Sequence, residues 1–382
     1  MERAASPFLI AAAGAVATSS LGHSSRQRLN SATGPAWFAT PGAEGGARRL
    51  RSSDGRRILL PAADGRALAL VADGAGAARV RREASGPMAL DLIWPGGAVR
   101  PVLRLNPGLE AVDFAQAHLL PTGEPTQNHV LLTPAGSAPG ERAPLVVIPY
   151  PGLAHDQPPE PYGRGVGRFS ANPEILAAAG FAVLLPALPR PRGEPGAGLA
   201  DQILAAVNQA AGTGLVDSER LGLVGHSFGG YASLMAAAQS RRFRSVIASS
   251  APADLAAVYG SFDPHLETRP GDGVNLNANY GWSELGQAGL RVPPWRDPDL
   301  YRRNSPYFLA DQISAPVMLI HGDGDFVRLS QAQQMFSALY RQGKDAELIT
   351  YFGEGHIVSS PANLKDMYRR MIGWLERTLA PR

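Results

Sequence analysis

The chain has 382 residues, 45% of them apolar and 18% charged, with a formal net charge of +3. That length suits one large or two modest domains around a sizeable core, and the charge balance is too even for a nucleic-acid track. The absence of cysteine excludes disulfides, thiolate nucleophiles and cysteine-ligated zinc, and no apolar run approaches the roughly 18 residues of a membrane-spanning helix.

Residues 1–56 read as an N-terminal tail. Pro7 to Val16 is a short apolar run, and Ala15-Val16-Ala17 resembles a small-residue cleavage site. Glu2 offsets Arg3, so the positive charge that should lead a signal segment is weak. A signal-like segment, a frayed tail and a buried strand stay open as alternatives, and so does the compartment, cytoplasmic or exported. Residues 18–56 are rich in Ser, Gly, Ala and Arg without periodicity, which predicts loop.

Residues 57–142 form a β-rich segment. Short apolar runs alternate with Asp64-Gly65, Asp73-Gly74 and Pro95-Gly96-Gly97, the punctuation of hairpins. About four or five strands between Arg57 and about Asn106 suit one antiparallel sheet, not a closed propeller of several blades. Val112 to Pro144 reads as connecting hairpin strands with proline-rich turns.

From 143 to 382 the texture becomes that of an α/β domain. Leu145 to Ile148, Phe181 to Leu185, Leu221 to Val224, Ser245 to Ala248, Val317 to Ile320 and Glu347 to Phe352 are apolar strand candidates. Helices are predicted between them, at Pro173 after the capping Asn172, over Leu199 to Ala211, Ser330 to Gln342 and Asn363 to Leu379. Such alternation predicts a mostly parallel sheet covered on both faces, with ligands bound beyond the carboxyl ends of its strands. The stretch from Asp254 to Asp311 is long and aromatic, with Tyr259, Phe262, Tyr280, Trp282, Trp295 and Tyr301. It either lines a substrate pocket, with Trp282 as a candidate, or packs on itself as a small separate core.

Gly225-His226-Ser227-Phe228-Gly229-Gly230 falls between an apolar strand and a run of helix formers. A serine at the apex of a strand-turn-helix elbow needs small neighbours and an exposed Oγ. A serine hydroxyl also needs a base to take its proton, and histidine titrates near neutrality. Of the eight histidines, His226 should point the other way at the elbow, His321 leads a loop after a strand and reads as structural, and His356 follows a strand within Gly353-Glu354-Gly355-His356. His356 is therefore the preferred base. Asp323 and Asp325 are both candidates for the carboxylate that orients it. The order serine, acid, histidine is that of α/β-hydrolases.

Three stretches carry a resemblance to one family: Gly225 to Tyr231, His321-Gly322-Asp323-Gly324-Asp325 with Gln331 downstream, and Tyr351 through His356 with Ser360-Pro361-Ala362-Asn363 after it. From about Ala143 onward the chain resembles the catalytic domain of the prolyl oligopeptidase family of serine peptidases, an α/β-hydrolase fold. The resemblance implies a Ser227-Asp325-His356 triad, since the family's acid closes its His-Gly-x-x-Asp pattern. It also implies an oxyanion hole made by the Tyr150 hydroxyl, in Tyr150-Pro151-Gly152, and the Phe228 N–H. Phe228 is carried over as a pocket candidate beside Trp282. Family members carry a full β-propeller before the hydrolase, and the shorter segment here looks like its last blade plus linker. A peptide substrate is implied, with no metal or organic cofactor, no nucleic acid and no membrane span, and self-association is left open. The same triad would serve a carboxylesterase, and a chain that had lost activity would be a binding protein.

Overall fold

The computed structural model describes strand backbone at residues 8–11, 37–40, 49–52, 57–59 and 65–70, and then residues 77–381 except 84–85, 95–97, 125–126, 139, 159–169, 190–192 and 262–278. The chain divides into two compact units, Met1–Val112 and Asp113–Arg382.

In the first unit, β1 (Phe8–Ala11), β2 (Trp37–Thr40), β3 (Arg49–Ser52) and β4 (Arg57–Leu59) form one antiparallel meander. A second meander joins β5 (Gly65–Leu70), β6 (Ala77–Arg82), β7 (Met88–Ile93) and β8 (Val99–Leu105). Strand β1 falls in the apolar run for which a strand was one alternative, while β2 and β3 fall where the sequence predicted loop. Their sequences are too short and too weakly alternating to register as strands, and cross-strand pairing decides them. Residues 12–36 lie outside the described residues. In β7 buried and half-buried positions alternate, and Asp91 is fully buried on the inner side. Arg79 and Arg81 each bring a guanidinium nitrogen to its Oδ2, at 2.8 and 2.9 Å, so the buried charge is paired.

The second unit is built on an eight-stranded sheet among the described residues. Its strands are β9 (Gln116–Pro121), β10 (Asn128–Thr133), β11 (Ala143–Val147), β12 (Ala182–Leu185), β13 (Val216–His226), β14 (Ser245–Ser249), β15 (Val317–Gly322) and β16 (Ala346–Tyr351), in the spatial order β16-β15-β14-β13-β11-β12-β10-β9. The six strands from β11 to β16 run parallel, and β10 is antiparallel to both β12 and β9. The hairpin β9-β10 therefore extends the hydrolase sheet, although the sequence reading placed 116–133 with the preceding β-rich segment. A hairpin carries no mark of the sheet whose edge it will join.

Helices α1 (Pro173–Ala178), α2 (Leu199–Gly212), α3 (Phe228–Gln239), α4 (Leu255–Tyr259), α5 (Asn279–Glu284), α6 (Pro298–Arg303), α7 (Ser330–Tyr340) and α8 (Pro361–Thr378) complete the unit. Successive residues of each strand face opposite sides, so one sheet feeds two cores. Leu145, Val147, Leu223 and Leu319 meet α2, α3 and α7 on one face, while Val146, Val224, Met318 and Ile320 meet α1 and α8 on the other. The α/β-hydrolase expectation holds, and it sets the carboxyl ends of β13, β15 and β16 along one edge. No helix among the described residues is long and apolar enough to cross a membrane.

Candidate active site

Strand β13 ends at His226 and α3 begins at Phe228, so Ser227 takes the whole turn between them. Its φ of 58° and ψ of −123° are strained for a residue with a side chain. The strain is tolerated because the elbow is tied at both ends. Ser227 N donates to Ser249 O at 2.8 Å, and Tyr231 N donates to Ser227 O at 3.0 Å. Two glycines make the bend sterically feasible. A Cβ at Gly225 would fall on the Gly229 carbonyl, and one at Gly229 would come 2.5 Å from Pro149 O and 3.2 Å from the Tyr150 ring. The second contact lets the segment carrying Tyr150 lie against the start of α3.

The hydroxyl of Ser227 lies 2.9 Å from His356 Nε2, and His356 Nδ1 lies 2.8 Å from Asp325 Oδ1. A carboxylate oxygen can only accept, so Nδ1 carries the hydrogen and Nε2 presents its lone pair to the serine. Asp325 Oδ1 also accepts from Val327 N at 2.8 Å, and the residue is 3% exposed. Asp323, the other candidate, receives Gly353 N on its Oδ1 and braces the neighbouring loop. His321 is fully buried and donates from Nε2 to Val327 O, with Asp325 Oδ2 3.4 Å away. Burial lowers its basicity.

The loop bearing His356 is held from behind by residues that the sequence reading did not assign. His226 Nε2 donates to the His356 carbonyl at 2.7 Å, and Ser250 Oγ donates to the same oxygen at 3.2 Å. The two imidazole rings lie 4.7 Å apart. Burial, with His356 alongside, pushes the His226 pKa down to about 4, so the ring stays neutral near pH 7. Ser250 itself sits at φ 51° and is 3% exposed. On the open side, the Phe326 ring covers His356 at 4.2 Å between centroids. Glu354, two residues before His356, accepts from Ser359 N, Ser360 N and Asn363 Nδ2. Burial opposes its ionisation, but these hydrogen bonds prevail and hold its carboxyl down to about 2. That carboxylate joins the loop to the start of α8. Sequence spacing gives no sign of these contacts, because each links residues distant in the chain or on opposite sides of a turn.

Tyr150 is half-buried, edge-on to Phe228 with centroids 6.2 Å apart. The Phe228 ring is 1% exposed and stacks on Tyr231. Its side chain is part of a core cluster, and its amide belongs to the first turn of α3, where a helix has no carbonyl of its own to serve N–H groups. Trp282 is half-buried, perpendicular to Phe228 at 5.8 Å. The described part of the aromatic stretch packs largely as its own cluster, with Leu255, Leu290, Leu300 and Tyr301 around α3. Trp295 is 70% exposed, and Phe262 lies outside the described residues.

Sheet order and elbow together define an α/β-hydrolase. Residues 168–382, more than half of the chain, match the prolyl oligopeptidase family, and the chain belongs to that family. It is 29% identical over 228 residues to dipeptidyl-peptidase 5 of Porphyromonas endodontalis, a match covering 54% of this chain and 30% of that one. Among solved structures, the acylaminoacyl peptidase of Pyrococcus horikoshii superposes with a TM-score of 0.60 at 20% identity, over 92% of this chain and 55% of that one. A puromycin-hydrolysing peptidase of Mycobacterium tuberculosis gives 0.60 at 19% identity, over 88% of this chain and 52% of that one. The chain thus spans about a third of the length of the curated relatives it matches.

Proposed function

We propose that the protein is a serine peptidase that cleaves peptide bonds through an acyl-enzyme. The observation that carries this reading is the unbroken line from Ser227 Oγ through His356 to Asp325, at 2.9 and 2.8 Å. Ser227 Oγ attacks the carbonyl carbon while His356 Nε2 takes its proton. Asp325 steadies the imidazolium that forms. The carbonyl oxygen gains negative charge and is met by the Tyr150 hydroxyl and the Phe228 N–H, donors whose individual loss costs about 3 kcal/mol in similar sites. His356 returns the proton to the departing amine, leaving an ester on Ser227. Water then repeats the sequence and releases the acid.

A fluorophosphonate probe should label Ser227 in the folded protein and should not label the His356→Ala variant. That variant should lose about 10⁴-fold or more in kcat. Its unfolding midpoint should hardly move, since the imidazole is partly open to solvent. Peptide amides are the discriminating substrates. Turnover of short acyl esters with none of amides would make the protein an esterase, and an unlabelled Ser227 would remove the enzyme reading altogether.

A further inference from the structure

The excursion between β14 and β15 brings a glutamine to the edge of the site. Gln287 Nε2 lies 2.9 Å from the Tyr150 hydroxyl, and Trp282 Nε1 lies 3.0 Å from Gln287 Oε1. The two ends of a side-chain amide have nearly the same shape, so which end faces which neighbour must be argued from donors and acceptors. Trp282 settles it. An indole N–H can only donate, so the amide atom facing it must be the oxygen. The NH₂ end then faces Tyr150, and it has only hydrogens to offer. The phenol oxygen must accept there, and its own hydrogen must point elsewhere.

We propose that Gln287, oriented by Trp282, is a positioning residue that sets the direction of the Tyr150 hydroxyl and leaves its proton free for the developing oxyanion. The inference rests on the reading of Tyr150 as an oxyanion donor. The order of donation runs one way, from indole to amide to phenol and on to the substrate oxygen. Each bond accepted polarises the next group, so the phenol donates more strongly than it would if solvated. The ring itself is already fixed, edge-on to Phe228 and close against Gly229, so the hydroxyl hydrogen is the freedom left to control. Gln287 has no motif around it, and its partners stand 137 and 5 residues away.

The test is Gln287→Glu, which keeps the shape and reverses the bond. A carboxylate accepts from both the indole and the phenol, and so takes up the proton meant for the oxyanion. Expected is a fall in kcat of about 100-fold, matching Tyr150→Phe. KM on a peptide amide should stay within about a factor of three. In the Tyr150→Phe background, Gln287→Glu should cost nothing more. Gln287→Met removes the donor without adding an acceptor and should lose less than Gln287→Glu. A packing role would give the opposite order, since Glu fills the space better than Met does. Losses that simply multiply in the double variant, or a Gln287→Glu no slower than Gln287→Met, would overturn the inference while leaving Tyr150 its role. A Tyr150→Phe enzyme as fast as the wild type would remove the oxyanion reading and the inference with it. Should Gln287→Glu fail to fold, Trp282→Phe carries the test. It frees the amide to flip, so kcat should fall with KM held, and an unchanged kcat would count against the proposal.

Discussion

Ser227 and Ser250 both sit at positive φ, at 58° and 51°, one at the reacting end of the site and the other behind it. Such residues persist where surrounding bonds over-determine them. Here the surrounding bonds converge on His356, whose carbonyl receives both His226 and Ser250. A loop with glycines on either side of Glu354 would otherwise leave the imidazole free to swing, and in the proposed mechanism a base misplaced by an ångström costs about 100-fold. His226→Ala leaves that carbonyl with Ser250 alone. We expect kcat to fall about tenfold and unfolding stability to drop by about 1–3 kcal/mol. Steady-state kinetics together with denaturant unfolding would check both, and a wild-type kcat would show that Ser250 suffices.

At the scale of elements, the segment leading into β15 is tied by a single ammonium group. Lys344, one of two lysines in the chain, places Nζ on the carbonyls of Ala310, Asp311 and Ile313, at 2.5, 2.8 and 2.6 Å. These carbonyls close the aromatic excursion just before β15 begins. A compact ammonium can serve three converging acceptors from one atom, and a planar guanidinium cannot. Lys344→Arg, conservative in charge, should therefore cost about 2 kcal/mol, nearly as much as Lys344→Met, when both are compared by urea unfolding. Helix starts were the most legible elements in the sequence. Asn172 accepts from Glu174 N with Pro173 at the first position, as that stretch predicts, because a cap is chemistry local to four residues. Strands β2 and β3 were not legible, nor was the sheet that the hairpin β9-β10 joins, because pairing partners lie outside any local window.

For the whole molecule, acid sensitivity follows from histidines kept neutral inside it. Burial lowers the basicity of His129, His226 and His321, and His129 Nδ1 must accept from Ala187 N, which a protonated ring cannot do. The unfolded chain binds these protons near pH 6.5 and the native state refuses them. This stability is therefore complete above about pH 6.5 and is lost as pH falls below it, down to about 4 for His226, by at most about 1.4 kcal/mol per pH unit for each histidine. Glu354 extends the loss to lower pH, since its carboxyl stays ionised to about 2 and the stability it contributes fades as pH falls from about 4.5 to that value. Unfolding midpoints should hold from pH 8 to about 6.5 and then decline toward pH 4, and a flat profile would mean that these rings take up protons in the native state.

The sequence by itself determined the α/β class, the elbow, and three strand ends carrying a serine, an aspartate and a histidine. Those follow from local rules: apolar runs make buried strands, caps start helices, and a sharp turn demands small neighbours. Tertiary structure alone decided what surrounds them. It put Asp323 on a loop amide and Asp325 on His356, turned His226 from an apparent bystander into a brace, buried the Phe228 ring, and brought Gln287 to Tyr150. The physical reason is range. A hydrogen bond depends on a few tenths of an ångström between atoms, and sheet order sets that distance between residues more than 100 positions apart.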